Sequence, residues 1–373
     1  MTHDFSTKKN SFLNNIISFN RIDFSIFLPA VILVIISLAT FFSLDSTIFR
    51  QQFTFFIVSV SFYFLFLNIN YRVLGFYAKY LYIIMIILLT ALFIIGIEAK
   101  GAVRWIDIFG VRLQFSEIIK PFFIIVLAHF LSTNEKVTFS KFLKALLILS
   151  PIFFLTLKQP DLGNAVIYFL TTVGMLMVYG FPIRYFLALL MSIIIPFPFM
   201  FSFLHDYQKA RLLTFFSPTG DPLGSSYNAI QSLISIGSGG FLGKGFGQAT
   251  QSILKFLPER HTDFIFATIT ESLGFVGGAV IVGIFAIFLY RIYFSSRAVH
   301  DKFSHLVVMG FYFFFLVHIF LNIGMNMGIV PIVGITLPFV SYGGSSLLTS
   351  FITIGILSSI TFEYKKNRAL EIK

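Results

Sequence analysis

The sequence predicts an all-α polytopic integral membrane protein with about ten transmembrane helices and a large extracytoplasmic loop containing short amphipathic helices. Three observations carry that prediction. Hydrophobic residues make up 57% of the 373 positions and charged residues only 12%, against roughly 25% charged in a soluble domain. Mean hydropathy is +0.89. Apolar runs of spanning length, roughly 20 residues, recur along the chain. The absence of cysteine excludes disulfides, thiolate catalysis and cysteine-held metals. The net charge of +11 would suggest nucleic acid in a soluble protein. Here the basic residues fall in short gaps between apolar runs, where they suit lipid headgroups and orientation, so no nucleic-acid partner is expected.

The first apolar run, Phe24 to Phe42, follows a polar segment carrying Lys8, Lys9 and Arg21 and reads as an uncleaved first span. Further spans are expected at 50–68, 76–97, 114–131, 143–158, 163–180, 183–203, 264–290, 303–325 and 331–360. A cytoplasmic N-terminus puts sixteen of the 27 basic residues in cytoplasmic connections, so both termini are expected inside. The whole of 1–373 reads as one transmembrane domain. Two polar stretches then face outward, at 98–113 and 204–263.

In the first, Gly101 and Gly110 allow tight turns, and Arg104 and Trp105 set a cation beside an amphipathic ring. Two readings fit: an interfacial anchor, or a guanidinium that pairs with phosphate or carboxylate on a lipid-linked ligand. Ser116 and Glu117 are expected to cap the following span. Between the fifth and sixth spans, Pro160 enforces a break. Lys158 and Asp161 flank it, either as a surface ion pair or as a cation held at a cavity mouth by its carboxylate.

The large outer stretch opens with Leu204, Tyr207, Leu213 and Phe216 at helical spacing around Lys209 and Arg211, which predicts an interfacial amphipathic helix. A second short helix is expected near Tyr227–Ile236. Six glycines follow within Ile236–Ser252, in neither the GxxxxGK[ST] nor the GxGxxG pattern, so a nucleotide loop is excluded. Lys244 is either a pyrophosphate contact or an anchor for this loop. Pro258 should end a short segment at 253–257.

Glu259, Arg260, His261 and Asp263 then crowd into five positions. Thr262 is expected to cap a helix starting at Asp263. Glu271 lies eight residues on, on the same face and about 12 Å deeper. A carboxylate and an imidazole where a span meets water point to function. The structural alternative has Asp263 capping the helix and Glu271 satisfying a neighbour.

Several long motifs resemble the SEDS family (shape, elongation, division and sporulation). They are GAVRWIDI at 101–108, KQPDLGNA at 158–165, DPLGSSYNAIQSLISIGSGG at 221–240, GKG at 243–245, TQSILKFLPERHTDFIFA at 250–267 and NIGMNMGIVPIVGITLPFVSYGGSS at 322–346. Arg260 leans toward the elongation branch over the cell-division branch. The resemblance implies a peptidoglycan glycosyltransferase of the bacterial cytoplasmic (inner) membrane that polymerises lipid II into β-1,4 glycan strands on the outer side. It also implies a class B penicillin-binding protein as transpeptidase partner, with other elongation-complex membrane proteins as further candidates. Asp263 matches the family's essential aspartate. Trp105 and Lys158 match outer motif residues, with Arg104, Asp161, Lys244, Glu271 and His261 as further substrate-binding candidates. Phe115 stands where many relatives have proline, Ser272 replaces a second acidic residue, and nothing is drawn from Asn326.

The chemistry agrees. A sugar hydroxyl needs a proton acceptor in the transition state, and Asp263 is the choice. The leaving group is already a pyrophosphate, so only cationic stabilisation is required, from Lys158, Arg104, Lys244 or a divalent ion such as Mg or Mn. The rival readings are a lipid-linked precursor flippase or ion-coupled carrier, built on discontinuous helices, and a non-catalytic scaffold.

Overall fold

The computed structural model describes residues 21–99, 102–108, 111–133, 136–196, 213–217 and 226–371, with Phe199, Phe201 and Lys209. Its elements in chain order are α1 (Phe24–Leu44), α2 (Ser46–Asn68), α3 (Tyr71–Phe76), α4 (Ala78–Ile95), β1 (Ile97–Ala99), β2 (Ala102–Ile108) and β3 (Val111–Leu113). There follow α5 (Phe115–Ile118), α6 (Lys120–Ser132), α7 (Phe139–Lys158), α8 (Leu162–Tyr179), α9 (Ile183–Ile194), α10 (Tyr227–Ser238), α11 (Thr250–Ile253), α12 (Ile265–Arg297), α13 (Lys302–Asn326) and α14 (Gly344–Glu371). Among the described residues, eight helical segments are long and apolar enough to cross a membrane, and α4 and α9 are shorter apolar helices. Together they occupy the ten positions expected from the sequence.

Polar caps punctuate the apolar helices. Asp23, Asp45, Thr138, Asp161 and Asp301 each accept a hydrogen bond from a first-turn amide, of α1, α2, α7, α8 and α13 in turn. Each bond satisfies a donor that the helix itself leaves orphaned. Helix α14 packs along α2, α12 along α13, and α13 against α8 and α6. Phenylalanine serves both surfaces. Phe288, Phe315, Phe339 and Phe351 form a buried ring cluster with centroids 4.9–5.7 Å apart, while Phe42, Phe275 and Phe294 point outward.

Four local expectations change. The 98–113 stretch contributes a three-stranded antiparallel sheet, β1-β2-β3, because Val103, Trp105 and Ile106 are strand formers in a short polar connection. Ser116 does not cap the fourth span: Gln114 holds that position without a side-chain cap, and the Ser116 hydroxyl donates to Asp161. The last span starts at Gly344 rather than 331, because Pro331 and Pro338 keep 329–343 out of a helix. The short helix before Pro258 is Thr250–Ile253. The helix expected near Tyr227 is α10. Of the interfacial helix, Leu213 and Phe216 lie in a helical turn, whereas Leu204, Tyr207 and Arg211 lie outside the described residues, as do Gly101 and Gly110.

Helix α12 is broken at Gly274 (φ 70°, ψ −166°). The break frees backbone groups that hydrocarbon cannot satisfy, and the glycine-rich loop after α10 supplies their partners. Lys244 and Gly245 amides donate to the Glu271 and Ser272 carbonyls at 3.1 and 2.9 Å, and the Phe275 and Val276 amides donate to Gly240 and Phe241 carbonyls at 2.9 and 3.2 Å. The two chains meet backbone to backbone: a Cβ on Gly243 (φ +82°) would lie 2.2 Å from the Ser272 carbonyl oxygen. Gly243→Val should therefore cost about 2–4 kcal/mol, from left-handed backbone strain and overpacking. A thermal melt of the solubilised chain checks this; a variant melting with wild type would mean the contact contributes nothing.

Candidate functional site

The segment 259–264 is a turn, held by its backbone. The Thr262 and Phe264 amides both donate to the Glu259 carbonyl, at 3.1 and 3.2 Å. Below it Leu257, Phe264 and Ala267 form a small buried cluster with Ile236 and Ile332. The carbonyls of 260–263 then each meet a donor, one from α12 and the rest from the 322–342 region. The Arg260 carbonyl accepts from the Thr268 hydroxyl of α12 itself at 3.1 Å. That of His261 accepts from the Tyr342 amide at 2.8 Å, and that of Thr262 from the Ser341 hydroxyl at 2.6 Å. The Asp263 carbonyl accepts from both Asn322 and Asn326 carboxamides, at 3.1 and 2.9 Å.

Asn326 is the hub of this arrangement. Its Oδ1 accepts from the Ala267 amide at 3.1 Å, one of the free donors at the start of α12. Its own carbonyl accepts from Ser232 of α10 at 2.9 Å. Sequence reasoning set Asn326 aside. The available signal was a pair of carboxamides, Asn322 and Asn326, one helical turn apart in an apolar span. The expected Thr262 cap is absent: α12 begins at Ile265 after Phe264, with no side-chain cap, and the Thr262 hydroxyl is engaged by Glu259 at 3.0 Å. Asp263 thus sits before the helix, half-buried, with its main chain fixed.

His261 is half-buried against Phe41, ring centroids 6.1 Å apart. Burial, reinforced by neighbouring Arg260, pushes its imidazole down to about 4, so it is neutral at physiological pH. Its Nδ1 and the Nε of Arg260 are both buried without a hydrogen-bond partner among the described residues. Unpaired polar atoms of this kind cost free energy unless a ligand or water meets them. Arg260, which sequence reasoning used only to choose a branch of the family, therefore joins the site.

A second cluster surrounds the break between α7 and α8. Arg104, from β2, donates to the carbonyls of Gln159 (3.0 Å) and Pro160. It also stands 4.0 Å from Asp161. Asp161 is buried and saturated: it accepts from Gln114 at 2.7 Å, Ser116 at 3.0 Å and the Asn164 side chain at 2.8 Å. The partner of Asp161 is thus Arg104 and not Lys158. Lys158 is exposed at the end of α7 and makes no hydrogen bond or ion pair among the described residues, leaving its ammonium open to an anion. Trp105 is half-buried on the same strand. This cluster is seated on the 333–335 segment: a Cβ on Gly163 would meet the Val333 carbonyl at 2.8 Å. The Ile335 carbonyl in turn accepts from Asn322 at 2.7 Å, so the two clusters share one scaffold.

Lys244 and Glu271 form a third unit. Glu271 is fully buried and accepts from Lys244 at 3.2 Å, the Gln251 and Ser252 amides at 2.9 and 3.1 Å, and the Ser252 hydroxyl at 2.8 Å. Lys244 also donates to Ser238 and Thr250, both at 3.0 Å. Of the two readings of Lys244, the contacts match the loop anchor. Deeper still, Lys120 is buried with Glu117 at 2.7 Å and His318 at 3.1 Å. Thr336 connects the set to the loop through its carbonyl on His318 (3.3 Å) and its hydroxyl on Ser346 (2.7 Å). No three His, Asp or Glu side chains converge on a metal position among the described residues.

Comparisons with known proteins give the family and the fold. The cell cycle protein family model that covers FtsW, RodA and SpoVE matches residues 17–366. The chain is 41% identical over 293 residues to the peptidoglycan glycosyltransferase MrdB of Escherichia coli K12, covering 78% of this chain and 79% of that protein. It is 34% identical over 347 residues to a protein of Aliivibrio salmonicida named "Probable peptidoglycan glycosyltransferase FtsW", covering 89% and 85%. Among solved structures it superposes with TM-score 0.80 and 26% identity, covering 92% and 98%, on a chain from a peptidoglycan synthase complex that coordinates polymerization and crosslinking. The crystal structure of the Thermus thermophilus rod shape determining protein RodA shares the fold, at TM-score 0.69 and 23% identity over 91% and 96%. By family match, by relatives across both branches and by fold, the chain belongs to the SEDS family of FtsW- and RodA-like proteins.

Proposed function

We propose that this chain, acting as a single unit over 1–373, polymerises lipid II with Asp263 as general base. It is a multi-pass membrane protein and a peptidoglycan glycosyltransferase. The observation that carries the assignment of Asp263 is its fixed main chain: the 261–263 carbonyls are anchored one after another while the carboxylate stays half-buried at the mouth of α12. A base so held accepts the proton of the acceptor sugar's 4-hydroxyl as that oxygen attacks the donor's anomeric carbon with inversion. Undecaprenyl pyrophosphate leaves without needing a protein acid. Lys158 and Arg260 are the cations free to meet it, with Arg104 holding the turn that carries Lys158. His261, neutral, is suited to hydrogen-bond a sugar or phosphate oxygen rather than to hold a proton.

The site lies where α1, α12 and α14 have their C-, N- and N-terminal ends, so the start of α1 and the end of α14 fall on the opposite face. In this reading that face is cytoplasmic, because lipid II is polymerised outside. By analogy with the structural relative from the synthase complex, a crosslinking enzyme works beside this chain, and a class B penicillin-binding protein is the partner we infer, with elongation the process it serves. A transporter reading needs substrate volume in mid-bilayer. The space beside Lys120, Tyr168 and Phe314 is too small to admit a water molecule, and Lys120 is already paired with Glu117.

Asp263→Ala is expected to lose about 100-fold or more in glycan polymerisation from purified lipid II, beside a partner lacking transglycosylase activity; equal polymerisation by both proteins would sink the general-base assignment. Asn326→Leu should reduce kcat about 100-fold through a misplaced base, with a smaller change in KM for lipid II. A variant with wild-type kcat would remove Asn326 from the positioning scheme. Because His261 titrates near 4, it keeps one charge state from pH 5.5 to 8. The pH–rate profiles of wild type and His261→Gln should therefore run parallel there, and an inflection near 6.5 that disappears with the imidazole would contradict this.

A further inference from the structure

We propose that the cavity at the end of the bundle opposite Asp263 binds the phosphate headgroup of an anionic membrane phospholipid. The cavity, about 1090 Å³, opens where the start of α1, the end of α12, the N-terminus of α13 and the end of α14 meet. Its volume is at the upper end of ligand pockets, roughly 300–1,000 Å³, and accommodates a headgroup with its glycerol.

The chemistry of the walls selects the ligand. Arg291 and Arg297 line the cavity and are exposed. Arg297 is steadied by Tyr293, whose hydroxyl accepts from it at 3.1 Å and whose ring lies 5.0 Å below it. The Arg291 carbonyl accepts from the Ser295 hydroxyl at 2.9 Å, while its guanidinium makes no hydrogen bond or ion pair among the described residues. The cavity's carboxylates are already spent. Asp23 caps α1 through Ser25 at 3.2 Å and pairs with Lys365 at 3.3 Å. Asp301 caps α13 through the Ser304 amide and hydroxyl at 3.1 and 2.7 Å. The open positive charge is thus guanidinium, which suits the planar, two-point recognition of phosphate.

The apolar track beside the cavity gives the source of that phosphate. Ile287, Arg291, Phe294 and Ala298 share one face of α12, at spacings of four, three and four. Ile287 and Phe294 are 54% and 55% exposed, and Phe24 and Leu28, one turn apart on α1, are 58% and 55% exposed. Two apolar rows therefore descend from the cavity mouth into the span, as acyl chains attached to a bound phosphate would require. A free phosphate would have no use for them. Basic pockets between transmembrane helices at the membrane surface hold anionic lipid headgroups in this way.

The test is retention of lipid by the purified full-length chain, counted by native mass spectrometry against phosphatidylglycerol and phosphatidylcholine. The wild type should retain phosphatidylglycerol in preference. Arg291→Gln/Arg297→Gln should weaken that retention about 30-fold, the product of two phosphate-directed cations. Ala298→Trp, which puts an indole into the cavity without changing charge, should also weaken it, so the result does not hang on one variant. Equal retention of the two lipids, or unchanged retention by both variants, would overturn the proposal. Displacement of phosphatidylglycerol by millimolar inorganic phosphate would overturn it in favour of a free-anion site.

Discussion

The structure depends on two carboxamides in an apolar helix. Asn322 and Asn326 both donate to the carbonyl of Asp263, and between them they also bind the Ile335 carbonyl, the α12 amide at Ala267 and, through a main-chain oxygen, α10. Removed from water, each of these groups costs roughly 1–3 kcal/mol if left unpaired. Paired, they make one rigid node where four segments meet. The 335–343 loop could not remain irregular at membrane depth without such partners. It is further tied to α1 by Ser37 on the Val340 carbonyl at 2.6 Å and to α2 by Gln52 on the Ser341 carbonyl at 3.2 Å. Phe339 holds a left-handed backbone (φ 65°) that the surrounding phenylalanine rings over-determine, as stored strain requires.

The same rule explains the charges. Among the described residues three buried carboxylates are matched: Glu271 with Lys244 and three further donors, Glu117 with Lys120, and Asp161 with Arg104 and a set of amides and hydroxyls. A buried pair of this kind contributes little net stability, but breaking it is costly. It therefore fixes geometry rather than adding stability. Among the groups left without a partner are the Lys158 ammonium, the Arg260 Nε and the His261 Nδ1, in the two clusters that share the 322–342 scaffold, and in the proposed reading a diphosphate and two sugars meet them. In the proposed mechanism neutral His261 recognises substrate, and Asp263, its main chain clamped, accepts the proton.

Much of this was legible in the sequence, and the rest was not for a physical reason. Ten apolar runs, the break at Pro160 and the helix at Tyr227 are local consequences of hydropathy and backbone chemistry. The charged turn around Asp263 stood out because polar residues are expensive beside hydrocarbon. The cap at Thr262 was misjudged because a threonine followed by an aspartate reads as a helix start, whereas one free donor of α12, the Ala267 amide, is met by Asn326 from 59 residues away. Lys158 and Asp161 looked paired because they are neighbours in the chain. Arg104, distant in sequence, is the cation the fold delivers to that carboxylate.

By itself the sequence determined the class of molecule, the family and the number of apolar segments, and it singled out the charged turn around Asp263, since each rests on composition, short-range spacing or motif. Only the tertiary structure decided which polar atoms are already satisfied and which still lack a partner. It assigned Glu271, Lys244 and Asp161 to internal contacts and left Lys158 and Arg260 open. The reason is that hydrogen-bond satisfaction inside a membrane is settled between helices, by partners that no local pattern names.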